Sequence, residues 1–506
     1  MPSLFKSLFF IFFFANQLSA QEVILTISAS GYTGEKVNIW IEDDLFTGHR
    51  NLVDTKVIEN DKATFHFDIH QIKLLRITLN YQYGLLLVEP GTKYKVVFPV
   101  PEDNSQLSLA GTSRIQLIFN DLDSNDINYK ISNFNKLVDE FILNNLSEDI
   151  RIADSSSISG TQPESTQSEF AISRFSERDM MRKMDGFRTG LDSTYRDIGE
   201  YFNNYRNFTF ANIEYDLGKE RRKLYFEYLE NSDIGYNNVE FVKFFKTFYA
   251  DFFDFYSYYP YSDKLIAAFE SAQPINALIN IIKGDTLTGS DEMKMLIMQK
   301  GLYDLYPNTS RWKGRIVEIL EILKNENPYS EQRLIAGYMV ENLLKGKKGT
   351  RAPDMEYIKA DGDTLSLSDL KGKMVYIQFF ASWNTSALAE MELISELRKR
   401  YGNRVEFLSI SIDENVNDFT SFAEKNKAFK WEFGWIGDDA KLRNEFEIAH
   451  LPLFYLIDEQ GKIISWPSLW PSTGIESVFL KTKYNRKAKK KKGYWDAPPN
   501  KSNNDG

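Results

Sequence analysis

The stretch Phe379–Met391, FFASWNTSALAEM, lies between an apolar run, VYIQ, and a helical pattern, ELISELRKR. Its order is strand, turn, amphipathic helix: aromatic and β-branched residues, then Trp383 and Asn384, then apolar residues at helical spacing. Asn384 is a good N-cap, because its side-chain oxygen can accept a backbone N–H of the first turn. Downstream come a strand VEFLSISI, helical patterns over 416–426 and 438–446, a strand LFYLID, a turn EQG and a strand KIIS. Alternating β and α with a closing hairpin predicts an α/β sheet.

These features together resemble the TlpA/ResA-like branch of the thioredoxin superfamily, close to the AhpC/TSA peroxiredoxin group. APDMEYIKADGDTLSLSDLKGKMVYIQFFASW is similar to that family's entry: an APDF-like start, a short hairpin, then the first core strand and Trp383. Glu390-Met391 matches an acidic-Met pair, and HLPLFYLIDEQGKII matches the stretch that carries the cis-proline, here Pro452. The resemblance implies a cis bond at Leu451–Pro452. It also implies that two cysteines flank two residues just after the Trp. Here those places hold Asn384 and Ala387, and the whole chain contains no cysteine. In the active family one cysteine attacks as a thiolate and the other resolves the mixed disulfide. Asn384 has no ionisable nucleophile and Ala387 no polar side-chain atom, so disulfide reductase and thiol peroxidase activities are excluded for this chain acting alone. Trp383, Asn384, Thr385, Ser386 and Ala387 form a degenerate redox motif. With His450, Leu451 and Pro452, its Trp383, Asn384 and Thr385 are expected to line a groove for an extended peptide, since the resemblance implies backbone recognition that needs no sulfur. His450 stands where the family usually has Gly. A non-thiol activity using Ser386, His450 and Glu390 is the alternative, because Glu390 lies one helical turn beyond Ser386.

The rest of the 506 residues allows about three domains at roughly 150 residues each. With 42% apolar and 26% charged residues the composition is that of a globular protein, and 14% aromatics can build large cores without disulfides. Residues 1–20 read as a signal peptide: Lys6, an apolar run Leu8–Ala15, and Leu18-Ser19-Ala20 at the cleavage position. Export to a periplasm, and no transmembrane span after cleavage, are therefore expected. Residues 21–112 read as a β-sandwich of about six strands, with Pro90-Gly91 as the hairpin turn between the last two. Residues 113–349 read as helical, beginning with RIQLIFNDL and interrupted by a mobile Ser-rich loop at 152–176. GKKGTRA (346–352) reads as a linker, 350–484 as the thioredoxin-like domain, and 485–506 as a disordered tail. The fold class is thus multi-domain α+β: an N-terminal β-sandwich, a helical middle domain and a C-terminal α/β thioredoxin-like domain. A multi-domain envelope protein of this order is similar to a group common in Bacteroidota.

The net charge is −10, yet Lys481–Lys492 carries eight basic residues and no acid. Such a tail on an acidic body can reach an anionic envelope polymer or remain solvated. Nucleic acid is not an expected partner, for want of a recognition motif in an acidic chain. No P-loop, nucleotide-type Gly fingerprint or zinc spacing is present, and no cofactor is expected. His66, Asp68 and His70 share one strand face, but the two histidines stand about 13 Å apart at ~3.3 Å per residue, so a solvated polar face is preferred to a metal site. The aromatics from Phe241 to Tyr256 fall at helical spacing and read as a core helix, with a stacking platform for sugars or an apolar groove for a partner as the alternative. Pro260 would break that helix and leave Tyr256, Tyr258, Tyr259 and Tyr261 as binding candidates. The functional expectation is a non-catalytic peptide- or protein-binding factor of the cell envelope, its partner unknown. A purely structural envelope protein is the remaining alternative.

Overall fold

Alternating burial along the first strands shows why the N-terminus forms a sandwich. In β1 (Gln21–Ser28) Val23, Leu25 and Ile27 turn inward while the residues between them face out. The computed structural model describes residues 20–481, apart from 81, 101–112, 120–121, 157–165, 196–197, 255, 257–261, 438 and 449. The predicted signal segment, nearly all of the basic tail, and Tyr258, Tyr259 and Tyr261 lie outside the described residues. The chain falls into two compact units, residues 1–340 and 341–506.

In the first unit β1 is followed by β2 (Lys36–Asp44), β3 (His49–Val57), β4 (Lys62–Ile69), β5 (Lys73–Leu79), β6 (Gln82–Val88), β7 (Lys93–Val97), β8 (Ser113–Arg114) and β9 (Ile118–Phe119). They make two sheets, β4-β1-β7-β9 and β3-β2-β5-β6-β8. Their inner faces share one core that includes Leu25, Phe65, Ile77 and Phe98. Three expectations change. HRNLVDTKV is a strand the sequence did not reveal: β3 is an edge, paired only with β2, and carries no inward apolar alternation. Pro90-Gly91 is no hairpin turn, since β6 and β7 lie in different sheets. The described residues 114–119 of RIQLIFNDL are not helical; β8 joins β6 and β9 joins β7, so the segment spans both sheets and extends the sandwich to Phe119. Leu117 between them is buried against Gly84, where any side chain would collide with it.

The helices are α1 (Ile127–Ser156), α2 (Thr166–Thr194), α3 (Glu200–Asp216), α4 (Arg221–Leu224), α5 (Val239–Phe248), α6 (Ser262–Glu270), α7 (Pro274–Ile282), α8 (Asp291–Asn308), α9 (Lys313–Glu326) and α10 (Ser330–Leu344). Residues 152–156 and 166–176 are therefore helical and not part of a loop. The serines there concealed a helical pattern in EFAISRFSERDMM. The sandwich and the helices also share a core: Ile72, Leu74 and Leu87 pack with Phe134 and Phe202. Asn128 clamps Leu87 by accepting its N–H at 3.0 Å and donating to its carbonyl at 2.8 Å. On α5, Phe241, Phe244, Phe245 and Phe248 are all buried, so the aromatic stripe is core. It stops at Phe248, well before Pro260, and Asp251 follows with a left-handed φ of 49°.

After α4 a π-helical turn, Tyr225–Leu229, presents Glu227 and Tyr228 to a charged cluster. Lys219 donates to Glu214 and Glu227 at 2.5 and 2.6 Å, and Arg188 donates to Glu227 at 2.6 Å. Burial pushes Glu227 up, but Lys219 and Arg188 together hold its carboxyl below the ordinary value of 4.5. A lowered folded pKa contributes stability that is present above the unfolded value and lost as pH falls through the folded one. Glu227→Gln is therefore expected to flatten the decline in melting temperature between about pH 5 and pH 3. Parallel melting curves of the two proteins over that window check it.

The second unit contains β10 (Glu356–Lys359), β11 (Thr364–Ser366), β12 (Met374–Phe380), α11 (Thr385–Tyr401), β13 (Val405–Ser411), α12 (Val416–Lys425), β14 (Glu432–Trp435), α13 (Ala440–Glu445), β15 (Leu453–Ile457) and β16 (Ile463–Ser465). They form one sheet, ordered β11-β10-β14-β13-β12-β15-β16, with β12, β13 and β14 parallel. Every residue of β12 is buried. Val375, Ile377 and Phe379 enter one core, and Met374, Tyr376 and Phe380 enter the other. This is the α/β thioredoxin-like arrangement. β14 is the strand missed here, being four residues long with Gly434 fitted closely beneath Tyr357. The segment read as a linker belongs to this unit. Gly349 N–H donates to Ile463 O (2.7 Å), Ile463 N–H to Thr350 O (2.8 Å), and Ala352 N–H to Gly461 O (2.9 Å).

Candidate functional site

The degenerate motif sits where β12 ends and α11 begins. Asn384 caps the helix, its Oδ1 accepting the Ala387 N–H at 2.9 Å from an extended backbone. Its Nδ2 donates to the carbonyl of Leu451 at 3.4 Å, joining the motif to the Leu451–Pro452 loop. The peptide bond between those two residues is cis. Trp383 is 68% exposed, a large fraction for an indole beside two packed cores. Thr385, Ser386 and His450 are exposed, Leu451 is half-buried, and Pro452 and Ala387 are buried.

Two buried polar groups that the sequence did not single out hold this turn. Asp413, 3% exposed just past β13, accepts the Ser382 N–H at 2.9 and 3.1 Å, the Ser382 hydroxyl at 3.0 Å and the Ser411 hydroxyl at 2.6 Å. It thereby fixes the residue next to Trp383. Gln378, in the middle of β12, donates to the Ala387 carbonyl at 3.0 Å and accepts from Ser409 at 2.9 Å. Trp431 Nε1 in turn donates to Ser409 at 2.9 Å. A polar residue within an all-buried strand was the available signal for Gln378. For Asp413 it was an acid directly after SISI.

The Ser386, His450 and Glu390 constellation is not assembled. Glu390 is 7% exposed, and its carboxylate is taken by Ser472, which donates its N–H at 3.0 Å and its hydroxyl at 2.5 Å. Among the described residues no hydrogen bond joins Ser386 to His450. The acid is thus withdrawn into the packing between α11 and the loop after β16, and a nucleophile-base-acid relay has no third member. Nearby, burial pushes the Tyr376 phenol well up, and its hydroxyl donates to Leu469 O at 2.7 Å. In the other unit, Tyr256 is half-buried with its ring 5.9 Å from that of Phe252. Among the described residues no cluster of three or more His, Cys, Asp or Glu side chains could hold a metal ion. His66 is exposed, 3.0 Å from Glu22.

Strand order, helix cap and cis-proline loop converge on one comparison. Residues 348–465 match the AhpC/TSA family. The thiol-disulfide oxidoreductase ResA of Bacillus cereus is 29% identical over 120 residues, 23% of this chain. This chain spans 66% of the length of that relative. The thioredoxin-like protein YneN of Bacillus subtilis is 26% identical over 141 residues, covering 26% of this chain and 81% of YneN. Among solved structures, the thioredoxin domain of a thiol-disulfide oxidoreductase from Bacteroides vulgatus is 22% identical. It covers 26% of this chain and 96% of its own, with a TM-score of 0.25. Residues 348–465, which match that family, contain no cysteine, nor does the rest of the chain, so it has no thiol with which to perform exchange itself.

Proposed function

We propose that the protein is an exported, redox-silent binding factor of the cell envelope whose former active-site groove holds an extended peptide or a partner protein. The observation that carries this reading is the pairing of a 68% exposed Trp383 with an Asn384 that caps α11 and tethers Leu451. A surface aromatic held beside a fixed backbone loop suits recognition of an extended chain, where main-chain hydrogen bonds give affinity and the ring anchors a side chain. The N-terminal pattern MPSLFKSLFFIFFFANQLSAQ supports export, and no helix among the described residues is long and apolar enough to cross a membrane. The basic tail offers a second, electrostatic contact to an anionic envelope polymer.

The test is selection of peptides from a displayed library on the full chain, followed by anisotropy titration of the selected sequences. Trp383→Ala is expected to weaken them by about 2 kcal/mol, some 30-fold. Adding dithiothreitol is expected to change nothing. Peptides that bind the Trp383→Ala protein as well as the parent would place recognition elsewhere and overturn this reading.

A further inference from the structure

The helical part of the first unit holds a cavity of about 560 Å³ that the groove reading does not use, within the ~300–1,000 Å³ range of small-molecule sites. It opens between the start of α6, the end of α8 and the start of α9. Its inner wall is apolar, with Leu265 and Leu305 almost fully buried. Its mouth is polar. There Asp254 accepts a hydrogen bond from Asn308 Nδ2 at 3.0 Å; Ser262 and Thr309 also line the cavity, the Thr309 hydroxyl accepting the Trp312 N–H at 3.4 Å. Tyr256 supplies an aromatic side.

We propose that this cavity binds an uncharged saccharide of one or two rings. A carboxylate hydrogen-bonded to a carboxamide, with two hydroxyl residues in the same lining, offers both acceptors and donors to sugar hydroxyls. The apolar wall and the Tyr256 ring suit the C–H face of a pyranose. Charge argues against an anionic ligand. Burial pushes the Asp254 carboxyl up, and Asp251 and Asp304 push it further, so a second anion would meet repulsion at the mouth. Arg311 does not offset this, because it pairs with Glu270 at 3.1 Å and lies over the Trp312 ring at 4.4 Å. The same placement argues against an organic cation. Trp312, the other ring in the lining, is already engaged, stacked on Phe269 at 4.9 Å and carrying Arg311 over it at 4.4 Å. A cation cage needs several open ring faces.

Saturation-transfer NMR on the full chain, with glucose, galactose, mannose, N-acetylglucosamine, maltose and lactose, tests the proposal. Glucuronate and choline serve as the anionic and cationic controls. At least one neutral sugar is expected to bind in the millimolar range. Asp254→Ala and Tyr256→Ala are each expected to weaken it at least tenfold, with melting temperature monitored. Should Asp254→Ala fail to fold, Asn308→Ala replaces it as the test of the polar rim. Trp383→Ala is expected to leave sugar binding unchanged, which separates this outcome from that of the peptide groove. Three results would each overturn the assignment: no neutral sugar bound at tens of millimolar, equal or tighter binding of glucuronate or choline, or sugar binding indifferent to the cavity variants.

Discussion

The Asn384→Cys/Ala387→Cys double variant is expected to form an intramolecular disulfide in air and to reduce insulin, from a parent with no such activity. Residue 384 already sits at the N-cap with the residue-387 N–H directed at its side chain at 2.9 Å. A thiolate there would receive that N–H and the positive end of α11, which lowers a thiol pKa below its free value of about 8.5. The second introduced cysteine would replace a fully buried Ala387 and be the shielded, resolving sulfur. Its extra atom costs about 1–3 kcal/mol of overpacking, which the surrounding core must absorb. The cycle balances: the thiolate at position 384 attacks the substrate disulfide and releases one thiolate. The thiol at position 387 then displaces the second, leaving the variant's own disulfide for an added reductant to regenerate. Thiol titration with and without prior reduction gives the first readout, and insulin turbidity the second. Two freely titrating thiols that never pair would mean that this turn does not retain the geometry that peptide binding at the same place also requires.

The second large effect is expected at Asp413. Its carboxylate accepts from Ser382 through both backbone and hydroxyl and from Ser411 through its hydroxyl. Asp413→Ala leaves these buried and partly buried donors without an acceptor. Charge-assisted bonds of this kind contribute about 1.5–3 kcal/mol each, and water entering the space returns part of the loss, so a net cost of about 3 kcal/mol is expected. With two compact units in the chain, one global unfolding free energy is not the right measure. Hydrogen exchange is: the amide of Ser382 and its neighbours should lose about two orders of magnitude of protection, while the first unit stays unchanged. Asp413→Asn, which keeps the shape but turns one acceptor into a donor, should fall between. Unaltered protection of Ser382 in the alanine variant would show that the turn beside Trp383 is held by other contacts.

What could be read in advance followed from how each segment meets its neighbours. β12, β13 and β15 lie inside a sheet covered on both faces, so their sequences are predominantly apolar, broken only by Gln378 in β12 and by Glu406, Ser409 and Ser411 in β13, and were legible. The Asn384 cap was legible because capping is local. β3 was not, because an edge strand needs no apolar face and is better protected by polar residues. α3 was missed because EYFNNYRNFTFANIEYD buries Asn212 and Glu214 along with its aromatics, which erases the stripe a reader looks for. At the site, the sequence placed Glu390 one turn from Ser386 but could not show that Ser472, 82 residues on, takes its carboxylate. Asp413 was hidden for the same reason, since its bond to Ser382 joins positions 31 residues apart.

The strip of backbone from Gly349 to Ala352 has a practical meaning for anyone who separates the pieces of this chain. By exchanging hydrogen bonds with Ile463 and Gly461, it covers the outer side of β16, an end of the seven-stranded sheet. A fragment begun at Pro353, inside the segment that matches known proteins, would leave those main-chain groups open. Uncovered strand edges recruit one another, so such a fragment would be prone to self-association whatever its core stability. The few residues that look most like a spacer keep the sheet from growing.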